Sequence, residues 1–218
     1  MAILSNVFNI FDVTPSTTYP KQPKLDGQFV HPEDRWIVDR FYIRKHTPLC
    51  IAGGACLAWY QNRPVDSDID LYFTNHAHYE IFKEKVLERT SSDVDVVCRT
   101  VTTSDNAITY RVTNTKTGKE WTVQLIKKSY YSNVQSVIDD FDITVCKIAF
   151  DFDKVFTSST FAIDERNKEL RFDNVSPQSH KRLVKYMSYG YQPTPETFEL
   201  VCNSKNVDWT LTGADHYA

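Results

Sequence analysis

The spacing of apolar residues in the first half of the chain predicts short helices alternating with short buried strands. Trp36, Ile37, Phe41 and Ile43 fall near one face of a helix that Pro32 opens. Shorter apolar runs, interrupted by glycine or proline, predict strands. The predicted elements are helices over residues 31–46, 55–61 and 76–89, and strands over residues 49–52 and 68–73.

The second half of the chain is rich in β-branched and aromatic residues, and its pattern predicts several strands before two final helices. The segment 114–118 ends in Gly118 and is typical of a hairpin turn. Ser176-Pro177 and Thr194-Pro195 are helix-opening signals. Strands are predicted over 94–98, 107–112, 121–126 and 141–150, a helix over 131–138, and a hairpin or edge strand over 152–163.

This order of elements predicts an α+β fold in which helices flank one mixed sheet. Residues 1–30 contain Pro15, Pro20 and Pro23 and are predicted to form an extended N-terminal arm. Residues 31–175 form the predicted core. Residues 176–218 form a C-terminal helical segment that we expect to pack on this core.

Composition narrows the class of protein. The net charge of −3 argues against a protein that coats nucleic acid, although a local basic groove remains open. The five cysteines lie far apart without a Cys-x-x-Cys pair, which favours a reducing compartment and gives no support for zinc. Neither a signal peptide nor a membrane-spanning apolar run is apparent. We therefore expect a cytoplasmic protein, located in the host cytoplasm or in the virion if the protein is viral.

The strongest chemical signal is a glycine turn followed by two carboxylates. Gly53 and Gly54 end the strand predicted over 49–52, and Asp68 and Asp70 stand two residues apart on the next strand. Side chains at positions i and i+2 of a strand project from the same face. Two carboxylates on one face repel each other unless a cation lies between them. Mg²⁺ is the expected cation, because it binds through one or two carboxylates together with substrate phosphates.

The order of strand, Gly53-Gly54 turn, helix and Asp68-Ile69-Asp70 strand resembles the signature of the nucleotidyltransferase (polymerase-β-like) superfamily. Weaker matches at 123–126, 141–142 and 182–186 resemble a little-characterised branch of it, partly encoded by viruses of bacteria. The resemblance covers roughly residues 48–190. It implies a nucleotidyltransferase-like fold in which the glycine turn faces the nucleotide phosphates and the carboxylate pair holds Mg²⁺.

Other residues near this motif are candidates for binding the nucleotide. Ser67 either ends the loop or donates a hydrogen bond to a phosphate. Arg182 and Lys185 lie within one turn of a predicted helix. They form either a solvated basic face or a phosphate contact delivered across the cleft. A histidine pair, His76 and His78, is expected to be exposed.

One position departs from the superfamily pattern. A third carboxylate on a later strand completes the metal site in the superfamily, and by order of elements that strand is 121–126, where the inward residue is Gln124. An amide cannot act as a general base near neutral pH. Asp142 and Asp95 are the candidate substitutes, with Asp142 ranked first because it begins a β-rich run after a helix.

Two functions from different classes follow. The leading hypothesis is a Mg²⁺-dependent enzyme that transfers a nucleotidyl group from an NTP to a hydroxyl of RNA, a protein or a small molecule. Asp68, Asp70 and Asp142 are its catalytic candidates; Gly53, Gly54, Ser67, Arg182 and Lys185 are its nucleotide-binding candidates. The alternative is a catalytically silent binding or structural module, such as a component of a viral particle, attached to a protein partner by the N-terminal arm.

Overall fold

A seven-stranded mixed sheet forms the centre of the protein, whose computed structural model describes residues 29–41 and 47–210. The strand order is β3-β4-β5-β2-β1-β6-β7. Strands β2 and β5 pair in parallel and the other neighbours are antiparallel. The strands are β1 (Cys50–Ala52), β2 (Ile69–Tyr72), β3 (Val96–Thr103), β4 (Ala107–Asn114), β5 (Glu120–Ile126), β6 (Ile148–Phe150) and β7 (Val155–Thr157).

Seven helices flank this sheet in the described part of the chain, which confirms the predicted α+β fold class. They are α1 (Arg35–Phe41), α2 (Gly54–Tyr60), α3 (His76–Ser92), α4 (Val134–Asp139), α5 (Phe161–Asn167), α6 (Ser179–Ser188) and α7 (Pro195–Asn203). Two short strands, β8 (Glu169–Leu170) and β9 (Gln192–Pro193), pair in parallel on either side of α6. None of the helices described here is long and apolar enough to cross a membrane.

The two faces of the sheet differ in what covers them. Ile51, Ile69 and Leu71 point into the larger core, which includes residues of α1, α2, α3, α5 and α6. The alternate residues Ala52 and Tyr72 belong to a second, smaller apolar cluster with α4. Because side chains alternate across a strand, Asp70 lies on the same face as Ala52 and Tyr72. The smaller core therefore borders the carboxylate pair.

Local sequence signals hold well at the ends of elements. Asn75 Oδ1 accepts a hydrogen bond of 2.8 Å from the His78 N–H and so caps α3. Thr194 Oγ1 accepts one of 3.3 Å from the Thr197 N–H at the start of α7. The turn between β4 and β5 places Gly118 at a φ of 71°. These positions agree with their patterns because capping and turn chemistry depend on neighbouring residues alone.

One sequence prediction in the third quarter of the chain is wrong, and another is only partly correct. Residues 141–150 do not form one strand: a 3-10 turn, Thr144–Cys146, precedes the short strand β6. The segment 152–163 contains β7, as expected of an edge strand, but also the beginning of α5. Every residue from Ile143 to Phe150 is buried, so no polar alternation marks where the strand begins.

A buried carboxylate links the N-terminal part of the described chain to the core through several hydrogen bonds. Asp34 is 0% exposed and accepts hydrogen bonds from the indole N–H groups of Trp59 (3.0 Å) and Trp121 (2.8 Å). It also accepts from the Val65 N–H at 2.7 Å and lies 3.0 Å from Lys119 Nζ. The arm predicted over residues 1–30 lies almost wholly outside the described residues.

Candidate functional site

The carboxylate pair lies at the centre of the sheet. Asp70 is in β2 and is the register partner of Gln124 in the parallel strand β5 and of Ala52 in β1. Asp68 stands two residues earlier and faces the same side of the sheet. Asp70 Oδ1 is buried and has no hydrogen-bond partner among the described residues. A buried carboxylate oxygen without a partner is unstable unless a proton or a cation occupies the space beside it.

The pKa values of both carboxyls reflect this environment. Burial, followed by the charge of the neighbouring Asp68, raises the pKa of Asp70 from 3.8 to about 7, against the opposing effect of Arg182 and Lys185. Burial also raises the pKa of Asp68, and Lys185 opposes that shift. Strongly shifted carboxyl pKa values at the bottom of a cleft are typical of functional sites.

Gln124 occupies the position at which a third carboxylate was expected. Its Nε2 donates a hydrogen bond of 3.0 Å to Asp68 Oδ2. Among the described residues, no group of three His, Cys, Asp or Glu side chains is arranged to hold a metal. The pair nevertheless fits Mg²⁺, because that ion takes its remaining ligands from water and substrate phosphates. The unpartnered Asp70 Oδ1 is the observation that supports this fit.

The glycine turn lies directly beside the pair. Gly53 has a φ of 81°, a conformation that favours glycine, and a Cβ at this position would lie 2.9 Å from Phe141 Cε1 and 4.0 Å from Asp70 Oδ2. A Cβ at Gly54 would lie 3.0 Å from Ser67 Oγ. The Gly53 N–H donates a hydrogen bond to the Ile148 carbonyl and is therefore not free to bind a phosphate. Any phosphate contact would involve later residues of the turn.

Helix α6 forms the wall opposite the carboxylates. Arg182 and Lys185 line the cleft, and their charges act on Asp70. The structure therefore places both of these candidates beside the pair, rather than on a remote solvated surface. Tyr186 is buried and its hydroxyl lies 2.8 Å from Cys146 Sγ. This aromatic residue packs into the core.

The two candidate third acids are engaged elsewhere. Both oxygens of Asp142 lie 2.6 Å from Arg182 Nη1, so Asp142 forms an ion pair with α6. Asp142 does not line the cleft, although its neighbours Phe141 and Ile143 do. Asp95 forms an ion pair with Lys116 near the β4–β5 hairpin. The expectation that Asp142 completes the metal site thus has no support in this conformation, since its charge is already neutralised by Arg182.

The cleft between the sheet face and α6 has a volume of about 910 Å³ and is open to solvent. Its floor includes Asp68, Asp70 and Gly54, and Ser67 lies beside them. This volume is within the range of pockets that bind small organic ligands.

Sequence reasoning missed part of the wall. Thr109 in β4, the register partner of Gln124, and Asn106 line the cleft together with Tyr131. The alternation of β4 could have assigned Thr109 to one face. It could not have shown that this face continues the one that carries Asp70, because strand neighbours are set by tertiary pairing.

The fold and the site together define an α+β protein that holds a carboxylate pair in a cleft opposite a basic helix. A family model described as Gabija anti-defense 2 family protein matches residues 28–168. This match covers well over half of the chain, and the protein belongs to the Gabija anti-defense 2 family. The match includes the glycine turn and the carboxylate pair and ends before α6. Comparison with curated proteins gave no match.

Proposed function

We propose that the protein is a Mg²⁺-dependent nucleotidyltransferase that moves a nucleotidyl group from an NTP to a hydroxyl acceptor. The unpartnered, buried oxygen of Asp70 beside Asp68, in a cleft lined by Arg182 and Lys185, carries this proposal. The family description adds a biological setting, because it describes anti-defence activity against Gabija. We propose that nucleotidyl transfer is the means by which this member counteracts that defence.

Each of the sequence-predicted residues has a part in this proposal. Asp68 and Asp70 would hold Mg²⁺, which when bound neutralises phosphate charge and helps align the attacking hydroxyl. Gly53 and Gly54 lack side chains that would fill the space beside the pair. Ser67 offers a hydroxyl next to this turn.

Helix α6 supplies positive charge to the same cleft. Lys185 and Arg182 would contact phosphate oxygens, which the guanidinium group binds through two N–H donors at once. Arg182 already forms an ion pair with Asp142, so that carboxylate sets the position of the guanidinium. In this proposal Asp142 acts as a positioning residue and not as the third acid.

A second candidate is a catalytically silent binding module. The hydrogen bond from Gln124 Nε2 to Asp68 Oδ2 favours it, since the amide takes the expected place of a general base. Such a module would bind a nucleotide without turning it over, or serve as a component of a viral particle attached by its N-terminal arm. For either candidate we propose a cytoplasmic location, supported by five cysteines that form no disulfide.

Thermal denaturation with each NTP, with and without Mg²⁺, tests nucleotide binding. We expect metal-dependent stabilisation in the wild type and its loss in Asp68→Asn and Asp70→Asn, because these variants keep the side-chain shape but lose the charge that binds the cation. Asp105→Asn is the matched control, since Asp105 is exposed and lies outside the cleft. No stabilisation of the wild type by any NTP with Mg²⁺ would rule out both nucleotide-binding candidates.

Gln124→Glu tests whether the amide at this position limits metal binding, and labelled NTPs separate the enzyme from the silent module. We expect the added carboxylate to increase Mg²⁺ affinity, measured by calorimetry, because it introduces an anionic oxygen beside Asp68. Gln192→Glu, an exposed change on β9, should leave that affinity unaltered. Incubation with α-labelled NTPs and RNA or lysate then reports transfer. A wild type that binds NTP but yields no labelled product under these conditions supports the silent module.

A further inference from the structure

Two arginines face each other on the outer strands of the sheet. Arg99 in β3 is the register partner of Arg111 in β4, and both side chains are exposed. Like charges directly opposite each other on neighbouring strands are destabilising. Neither arginine forms an ion pair with another described residue. An anion bound between the two guanidinium groups would relieve this repulsion.

The arginine pair lies on the same sheet face as the carboxylate site. Arg111 is the register partner of Thr122 in β5. In the parallel pairing of β5 with β2, Val123 is the register partner of Ile69. Thr122 is therefore level with Asp68, the residue immediately before β2. The row thus runs from Arg99 through Arg111 and Thr122 to Asp68. With neighbouring strands about 4.8 Å apart, Arg111 and Arg99 stand about 10 and 15 Å from Asp68 along this row.

We propose that Arg99 and Arg111 bind a backbone phosphate of a single-stranded nucleic acid whose terminal hydroxyl is the acceptor. This proposal rests on the nucleotidyl transfer proposed above and names its acceptor class. Arginine binds phosphate through its planar fork of N–H donors. The neighbouring row holds the hydroxyls of Thr102 and Thr109, which are also suited to phosphate and sugar oxygens.

The composition of this face favours a nucleic acid over a protein acceptor. The face-forming positions of β3, β4 and β5 hold threonine, arginine and small or aliphatic residues and no aromatic side chain. Protein interfaces are usually anchored by buried aromatic residues. One carboxylate, Glu120, shares the face one pair further along from Arg111, and its Oε1 accepts a hydrogen bond from Thr113 Oγ1. Contacts of this kind recognise phosphate and not base sequence.

Fluorescence anisotropy with a short labelled single-stranded RNA, and the same sequence as DNA, tests the proposal. We expect the double variant Arg99→Ala/Arg111→Ala to weaken binding at least about tenfold, because two charge-assisted contacts are lost. The magnitude of the slope of log K against log salt should fall by about 0.7, the value for one neutralised phosphate of a single strand. Arg99→Lys/Arg111→Lys, which keeps the charge but not the fork, should bind with intermediate affinity.

The matched control removes two positive charges elsewhere. Arg166 and Lys205 are exposed and lie outside both the cleft and this sheet face, so Arg166→Ala/Lys205→Ala should bind the oligonucleotides like the wild type. Three results would overturn the proposal: no binding by the wild type, equal weakening in the control, or label transferred to protein and undiminished by added oligonucleotide. Mg²⁺-NTP stabilisation, measured on the same variants, should persist. If Mg²⁺-NTP does not stabilise the wild type either, the proposed function has failed, and not only the proposal about its acceptor.

Discussion

The ionisation of single residues in the cleft affects the stability of the protein, and Asp70 is the clearest case. Its carboxylate lies in a place that favours the neutral form, since burial and the Asp68 charge raise its pKa to about 7. A group whose pKa is raised on folding stabilises the native state at low pH. That contribution is lost as the pH rises through the folded value. Without a cation, ionised Asp70 therefore weakens the fold.

This reasoning predicts the pH dependence of Asp70→Asn. Without divalent metal, the wild type should lose stability relative to the variant between pH 4 and 7, because only the wild type ionises. The difference has an upper limit of about 4 kcal/mol, which is three pKa units, and water reaching the half-buried site reduces it. Urea unfolding across this range measures it. Parallel curves for the two proteins would contradict the assignment, and Asp105→Asn controls for the loss of a surface charge.

The residue scale also separates what the sequence could supply from what it could not. The two-residue period of a strand predicts that Asp68 and Asp70 share one face, and the structure places them on one face. The role of Asp142 did not follow, because its partner Arg182 is forty positions away in the chain. A pairing over that distance has no local signal.

At the scale of elements, the turn between β1 and α2 combines backbone strain with close packing. Gly53 and Gly118 both have positive φ values, of 81° and 71°. A Cβ at Gly118 would meet nothing within 4 Å, whereas one at Gly53 would lie 2.9 Å from the Phe141 ring. Both glycines therefore have a positive φ, but Gly53 combines it with a ψ of −138°, close to the region that is essentially confined to glycine, and it is also more closely packed.

Gly53→Ala should destabilise the protein more than Gly118→Ala. The control should lose about 1 kcal/mol, the cost of a left-handed backbone with a Cβ. The Gly53 variant should lose at least a further ~1–3 kcal/mol, from overpacking against Phe141 and from a backbone region that essentially only glycine adopts. Guanidinium unfolding measures both. Adding Phe141→Leu should recover part of the excess in the Gly53 variant and none in the Gly118 variant. Equal losses would show that contact with Phe141 contributes nothing.

The ends of helices and strands were predictable where a capping residue or a turn glycine marks them. The capping residues Asn75 and Thr194 and the turn at Gly118 locate three boundaries correctly. The segment from Ile143 to Phe150 did not reveal the 3-10 turn at Thr144–Cys146. All of its residues are buried, including the polar Thr144 and Lys147, so it lacks the alternation of buried and exposed positions that distinguishes a strand.

At the scale of the whole molecule, Asp34 joins parts of the chain that are distant in sequence. It accepts hydrogen bonds from α2 through Trp59 and from β5 through Trp121. Burial alone would raise the pKa of Asp34, but the hydrogen bonds, foremost that from Trp121, outweigh it and lower the pKa. A group with a lowered folded pKa stabilises the native state above its unfolded pKa, and this contribution is lost as the pH falls through the folded value.

Asp34→Ala should destabilise the protein by about 3–5 kcal/mol at pH 7, because it leaves buried donors and Lys119 without their acceptor. The penalty should shrink as the pH falls below about 4, where the wild type begins to lose the same interactions. Urea unfolding at pH 7 and pH 3 measures both effects. Asp66→Ala is the control: it breaks the exposed pair with Arg63 and should cost less than 1 kcal/mol. A penalty independent of pH would exclude the charge as its source.

The sequence alone determined the α+β class, most element boundaries, and the position of the glycine turn before the carboxylate pair. These depend on periodicity and short-range chemistry. The resemblance already indicated that Gln124 lies at the carboxylate pair. Tertiary structure alone decided the other neighbours of the pair, with Arg182 across the cleft and Arg111 in the same row as Asp68. Strand order and helix docking bring together residues far apart in the chain. The residue pattern of one segment therefore does not show which other segments lie next to it.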